Sequence, residues 1–295
     1  MAKVHSVEFK LPNVVIRGIS NHLPEQRSAN SLLIALHGWL DNANSFLPLL
    51  PYLQDYCVIA LDWVGHGHSS HRPAGTDYHQ LDYIDDLHQL FEQQGWSDAV
   101  LLGHSMGGIL STLYAAVFPE HVNHVICLDA FGPLTGDEKE TVSGIRAGIA
   151  SRRKISAMRK TPTSHTTFAE AVAKRAEISS LSQSLTETLL SRSVTTQEGT
   201  ALRDDSLIIW RWDKRLRQQS LLRLTEAQAQ AIVESIECPV TAIVASNGFV
   251  MKRNLIEQRR DWFKVLNIEV IEGYHHVHMQ APQQVATHIN SHRIK

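Results

Sequence analysis

A serine stands between two glycines in the run Val100-Leu101-Leu102-Gly103-His104-Ser105-Met106-Gly107-Gly108, where an apolar, strand-like stretch gives way to residues of helical spacing. A serine hydroxyl is a poor nucleophile until it is lifted clear of its strand and offered to a base. The turn that lifts it is strained and leaves no room for side chains two positions either side, which is room that Gly103 and Gly107 supply. Ile109, Leu110, Thr112, Leu113, Ala116 and Val117 continue at helical period, so a helix starting at the serine would point its first amides at a developing oxyanion. The pattern reads as a nucleophile elbow for acyl transfer. That chemistry also needs a base, a group to orient the base, and oxyanion donors. Leu36-His37-Gly38-Trp39 closes a strand-like run where the Trp39 amide could be presented, and Met106 at the helix start offers a second amide. The base is sought in Glu272-Gly273-Tyr274-His275-His276-Val277-His278-Met279-Gln280-Ala281-Pro282, between the last strand-like and the last helical stretch.

The elements that must position these residues follow from periodicity. Strands are expected over 4–10, 14–20, 31–36, 56–62, 99–102, 124–129, 240–245 and 268–271. Helices are expected over 46–54, 78–94, 106–118, 252–264 and 282–292. From the third strand onward the two alternate, which is the rhythm of a parallel sheet covered by helices on both faces, with the first two strands as an antiparallel edge. Between Asp129 and Val240 the rhythm breaks. That segment is polar and mostly helical in pattern, yet Ile178, Leu181, Leu185, Leu189, Leu190, Leu207, Ile208, Ile209, Trp210 and Trp212 give it apolar surface to dock on the sheet's upper edge. The expectation is therefore an α/β chain in three parts: a core over 1–132, an inserted helical cap over 133–237 and the rest of the core over 238–295.

With those landmarks in order, the sequence resembles the α/β-hydrolase superfamily over almost its whole length. His37-Gly38-Trp39 is similar to the oxyanion-strand motif, and Asp62-Trp63-Val64-Gly65-His66-Gly67-His68-Ser69 to the D-x-x-G-x-G-x-S turn; residues 103–107 form the elbow and 273–282 the histidine loop. Trp210-Arg211-Trp212-Asp213-Lys214-Arg215-Leu216 and His275-His276-Val277-His278-Met279 resemble the serine hydrolase-like proteins, a group regarded as esterases. The resemblance implies an eight-stranded, mostly parallel sheet, Ser105 as nucleophile and His275, seven residues before Pro282, as base. His276 is the competing base, and His278 lines the pocket or bonds the loop. The chain departs from the usual pattern at the acid. Asn247 occupies the place after the seventh strand, where an amide can hold the histidine tautomer but cannot stabilise an imidazolium by charge. Asp129, at the superfamily's second position for the acid, ends the sixth strand and is assigned the role. His104, Trp210, Trp212 and His278 are expected around the substrate pocket, although tryptophans two apart suit the core of the insertion equally.

Composition agrees with a globular protein: 43% hydrophobic, 20% charged and a formal net charge of −2 over 295 residues. That balance gives no reason to expect nucleic acid. No apolar run of about eighteen residues exists to cross a membrane. The opening ten residues alternate like a strand and lack the apolar centre of a signal peptide, and Cys57, Cys127 and Cys238 sit in or beside apolar runs, so a cytoplasmic location is expected. His66, His68 and His71 form one histidine group and His275, His276 and His278 another, but neither has metal-ligand spacing; no metal and no cofactor are expected. Residues 133–235 hold sixteen basic against twelve acidic side chains, with Arg146, Arg152, Arg153, Lys154, Arg159 and Lys160 in a stretch free of acids. Such a run suits a solvated helix face, or a basic lip facing anionic substrates or membrane. The leading expectation is a cofactor-free carboxylesterase acting on a small-molecule ester. The alternatives are a lactonase, thioesterase or carbon–carbon bond hydrolase, a non-catalytic ligand-binding member of the same fold, or a scaffold whose cap binds protein.

Overall fold

Runs such as Leu33-Ile34-Ala35-Leu36 and Val58-Ile59-Ala60-Leu61, apolar at every position, satisfy their backbone and bury both faces only inside a covered sheet. The computed structural model describes residues 4–22, 32–157, 166–197 and 199–291. It contains the strands β1 (His5–Lys10), β2 (Val15–Ser20), β3 (Leu32–Leu36), β4 (Cys57–Asp62), β5 (Ala99–His104) and β6 (Val122–Leu128), a ribbon of β7 (Val194–Thr196) and β8 (Ile208–Trp210), and then β9 (Val240–Ala245) and β10 (Leu266–Ile271). All but the ribbon join one eight-stranded sheet in the order β1-β2-β4-β3-β5-β6-β9-β10. β2 runs antiparallel to β1 and β4, and the remaining pairs are parallel.

Helices cover both faces. On one, α1 (Gln80–Gln94) and α2 (Met106–Val117) bury Leu87, Leu90, Leu110 and Tyr114 against Ile34, Ile59 and Leu101. After β6 come α3 (Thr141–Ala157), α4 (Phe168–Ser179), α5 (Gln183–Ser193) and α6 (Glu226–Glu234), all before β9, then the short α7 (Phe249–Lys252) and α8 (Leu255–Arg259) between β9 and β10, and α9 (Val277–Gln280) and α10 (Pro282–Ser291) after β10. α10 closes the second face, where Val285 and Ile289 meet Phe46, Leu49 and Ala245. Capping residues fix several starts: Thr167 with Glu170, and Thr225 with Gln228, form reciprocal capping boxes.

Three expected elements differ. The helix expected over 46–54 is two 3-10 turns, Ala43–Phe46 and Leu50–Tyr52, because Pro48 and Pro51 remove donors and clash with a preceding turn. The helix over 252–264 breaks into α7, α8 and a 3-10 turn, with Asn254 at a left-handed φ of 53° between the first two. The segment between β6 and β9 is not wholly helical, since β-branched Val194, Thr195, Thr196, Ile208 and Ile209 build the ribbon. Within it, Phe168, Val172, Leu190 and Ile208 form a small separate core, whereas Val233 and Ile236 pack into the main core. Ser31, Arg159, Lys160 and His292, and residues 1–3 of the expected core, lie outside the described residues. No described helix is long and apolar enough to cross a membrane.

Candidate active site

β5 ends at His104, and Ser105 takes φ 51°, ψ −115°, a strained conformation for a residue with a side chain. Its N–H donates to the Leu128 carbonyl at 3.1 Å, which ties the turn to the end of β6. A Cβ on Gly107 would strike the Leu36 carbonyl, and one on Gly103 the backbone of Gly107 and Gly108, so the two glycines allow the strand, turn and helix to close on one another. The loop after β3 arrives alongside: a Cβ on Gly38 would lie 3.2 Å from that of Ser105. This places the Trp39 segment and the Met106 end of α2 on either side of the serine. The Trp39 ring is half exposed and its indole N–H donates to the Leu216 carbonyl at 3.0 Å.

Asp129 follows β6 at φ 45° and is fully buried. Its Oδ2 accepts the Phe249 N–H at 2.6 Å and lies 2.5 Å from His275 Nδ1. Gly248 is required beside it, because a Cβ there would fall on the carboxylate. Burial pushes the Asp129 carboxyl up, but the hydrogen bond and charge of His275 together with the Phe249 N–H outweigh it and hold the group below its usual range. An ionised carboxylate only accepts, so Nδ1 of His275 carries the donated proton and Nε2 is left as the basic nitrogen. The Asn247 side chain is exposed and donates to Ser246 Oγ at 3.2 Å, while its N–H holds the Gly273 carbonyl at 2.9 Å. The structure thus brings Asp129, and not the Asn247 side chain, to His275.

Ser105 and His275 open on one cavity of about 400 Å³, whose walls include Trp39, Arg175, Ile178, Phe249, Lys252 and Tyr274. Trp210 and Trp212 stand away from it. Trp210 packs on the small core of the segment and Trp212 on the main core under the Arg217 guanidinium. His278 is also absent from the cavity wall: it is fully buried behind His104, its ring 4.4 Å from that of His104 and 5.5 Å from Phe46. His104 itself lines the cavity floor.

Sequence reasoning missed Asp41 and Arg175. Asp41, buried after the Gly38-Trp39 turn, receives Arg175 of α4 on Oδ1 at 2.6 Å, and its Oδ2 lies 3.1 Å from His276 Nε2 and 3.5 Å from His104 Nδ1. Burial raises this carboxyl, yet His276 and Arg175 hold it well below the usual carboxylate range. His104 donates Nε2–H to the His275 carbonyl at 2.9 Å, and burial drives its pKa down to about 4. His276 is therefore committed to Asp41 while its neighbour His275 is committed to Asp129. Among the described residues, Asp41, His104 and His276 also bring potential metal-ligand atoms within 4.8 Å of one another; of the two sequence groups, His66 is buried in the core and His71 bonds the Arg211 carbonyl at 2.7 Å.

Residues 31–282 match the family model of the alpha/beta hydrolase fold. The chain belongs to that family. It is 30% identical to a serine hydrolase-like protein of Dictyostelium discoideum over 262 residues, 86% of this chain and 72% of that protein. It is also 30% identical to the serine hydrolase-like protein of Mus musculus over 279 residues, 87% and 86% of the two chains. A solved hypothetical protein of Pseudomonas aeruginosa superposes with a TM-score of 0.83 at 32% identity, covering 97% of this chain and 99% of that one. In this α/β hydrolase the two remaining motifs are structural. Asp62 accepts Ala43 and His68 N–H groups and the Arg192 guanidinium, each at 2.8 Å, so the D-x-x-G-x-G-x-S turn anchors α5. Asp213 of the Trp-Arg-Trp-Asp run accepts the Tyr78 hydroxyl at 2.9 Å and Arg215 at 2.6 Å, and Arg215 in turn reaches the carbonyls of Arg72, Pro73 and Thr76. That motif clamps the root of the inserted segment to the loop before α1.

Proposed function

We propose that this α/β hydrolase is a carboxylesterase that cleaves small carboxylic esters through an acyl-enzyme. The observation that carries the reading is the 2.5 Å contact of His275 Nδ1 with the buried Asp129 carboxylate, at the mouth of the cavity that also presents Ser105 on its strained turn. In this reading Ser105 Oγ attacks the ester carbonyl and His275 Nε2 takes its proton. The tetrahedral oxyanion is held by the amides of Trp39 and Met106, and Asp129 stabilises the imidazolium. Collapse returns the proton from His275 to the departing alkoxide, leaving Ser105 acylated. Water, deprotonated by the same nitrogen, then attacks the acyl carbonyl, and the carboxylic acid leaves with Ser105 restored. The segment between β6 and β9 acts as the cap that encloses the substrate, and a cavity of about 400 Å³ suits a small acyl group rather than a long chain.

The test is intact-mass labelling with a fluorophosphonate, beside turnover of a short p-nitrophenyl ester. One adduct per chain that disappears in Ser105→Ala and slows in His275→Ala and Asp129→Asn is the expected result. A folded wild-type protein that takes no label has an unactivated serine, and the catalytic reading then fails.

A further inference from the structure

We infer that Asp41, His104 and His276 form a binding site for a divalent transition-metal ion of the zinc type on the floor of the cavity, and that an ion held there blocks Ser105. The binding stands by itself; the block rests on the hydrolase reading above.

The site follows from where the ring protons must be. The His275 carbonyl can only accept, so the 2.9 Å contact fixes the proton of His104 on Nε2 and leaves Nδ1 with a lone pair when the ring is neutral. That lone pair is buried, has no hydrogen-bond partner, and faces Asp41 Oδ2 at 3.5 Å. Two electron-rich atoms thus confront each other with nothing positive between them on that side, because Arg175 occupies the other oxygen, Oδ1. The same Oδ2 meets His276 Nε2 at 3.1 Å.

The spacing fits an ion. Ligands of a tetrahedral zinc site at 2.0–2.1 Å lie about 3.3 Å apart. The two edges running to Asp41, 3.1 and 3.5 Å, bracket that value, and all ligand atoms fall within 4.8 Å of one another, so only the two imidazoles need to close, by at most about 1.5 Å. The surroundings resemble the outer shell of a metal site: His104 gives its second N–H to a backbone carbonyl, and the carboxylate is held by an arginine. Two imidazoles and one carboxylate favour Zn²⁺, Co²⁺, Ni²⁺ or Cu²⁺ over Mg²⁺ or Ca²⁺, which want oxygen. All three ligands line the cavity, so the fourth position is open towards Ser105 and His275, where an ion would occupy the space of the substrate carbonyl.

The probes are Zn²⁺ and Co²⁺ alone, added to metal-stripped full-length protein, with equilibrium dialysis for stoichiometry and visible absorption of Co²⁺ for geometry. The expected result is one ion per chain with a four-coordinate Co²⁺ spectrum. Affinity should fall more than tenfold in His276→Gln and separately in Asp41→Asn, and stay unchanged in Asn247→Ala, with circular dichroism confirming each fold. Saturating Zn²⁺ should slow fluorophosphonate labelling of Ser105 more than tenfold, with recovery on adding a chelator. Absence of stoichiometric binding overturns the site, as does binding that survives His276→Gln but is lost in His275→Gln. Binding as expected in a protein that the fluorophosphonate never labels keeps the site and discards the hydrolase reading.

Discussion

Replacing Asp129 by asparagine separates charge from geometry at this site, because both of its short contacts converge on a single oxygen. Oδ2 lies 2.5 Å from His275 Nδ1 and 2.6 Å from the Phe249 nitrogen, while Oδ1 has only the Ala245 N–H at 3.4 Å. An asparagine can put its carbonyl oxygen in the Oδ2 position and its NH₂ in the other, at the expense of one long contact. The His275 tautomer and the loop should therefore survive, and what disappears is the negative charge beside the imidazolium of the transition state. Unit charges about 4 Å apart at an effective dielectric of about 20 attract by about 4 kcal/mol. At about 1.4 kcal/mol per decade, kcat/KM for a p-nitrophenyl ester should drop by about three orders of magnitude. Melting temperature and one-to-one active-site titration are to be measured on the same sample. Asn247→Ala, whose side chain reaches only Ser246, should change the rate less than about threefold. A loss below tenfold in Asp129→Asn, or a loss above a hundredfold in Asn247→Ala, would refute the assignment of the acid.

Gly248→Ala places a methyl group on the Asp129 carboxylate and should push it off His275, with kcat/KM falling about a hundredfold or more, the scale for a catalytic group displaced by an ångström. Arg192→Met leaves Asp62 buried without its guanidinium; urea unfolding should show a loss of about 3–5 kcal/mol. Acid should destabilise the protein before its carboxylates unpair. Burial, with Arg192 adding to it, lowers His68 to about 4, below its unfolded value, so its contribution is lost as pH falls from 6.5 towards 4, about 1 kcal/mol between pH 7 and 5 after discounting for partial exposure. Burial raises Asp86 to about 6, which has the opposite sign over that range and a similar size, about 1 kcal/mol, so the two cancel. His37, His66 and His278, fully buried and lowered by desolvation, then set the sign: stability measured in urea falls from pH 7 to pH 5, and His278→Leu makes the fall smaller. A flat or rising profile would contradict the burial of neutral imidazoles.

Sheet strands were legible because burial on both faces writes itself as an unbroken apolar run. β3, β4, β5, β6 and β9 all lie within two residues of the spans read from the sequence. Helices whose apolar stripe faces the sheet were equally plain. Legibility failed where context overrides period: prolines at 48 and 51 cut a pattern that otherwise looks helical, and the Ile208-Ile209-Trp210 run, taken as docking surface, pairs with a strand fourteen positions earlier. Trp210 and Trp212 illustrate the limit for pockets. Two aromatics at spacing two announce a buried ring pair, but whether they bury against ligand or against protein depends on how the segment between β6 and β9 folds back, which no local pattern records.

The site was legible to the extent that chemistry and backbone strain coincide. Ser105 and its glycines could be read because only a tight turn explains those residue types in that order. Asp129 was harder, since an aspartate ending a strand also suits a simple turn; here it does both, at φ 45° with its carboxylate turned into the sheet edge. The histidines were hardest. His275 and His276 are adjacent, chemically identical and both near a carboxylate, so sequence alone leaves either as the base. The backbone decides between them: the two rings stand at 80° to each other, one reaching Asp129 beyond β6 and the other Asp41 beyond β3. His104 bonds the carbonyl of the first and packs 4.8 Å from the ring of the second, and so holds the two carboxylate networks apart. A histidine at the position before the serine is thus not a spare base but the partition between two charge systems. Its replacement by a residue that cannot donate to the His275 carbonyl should loosen both at once.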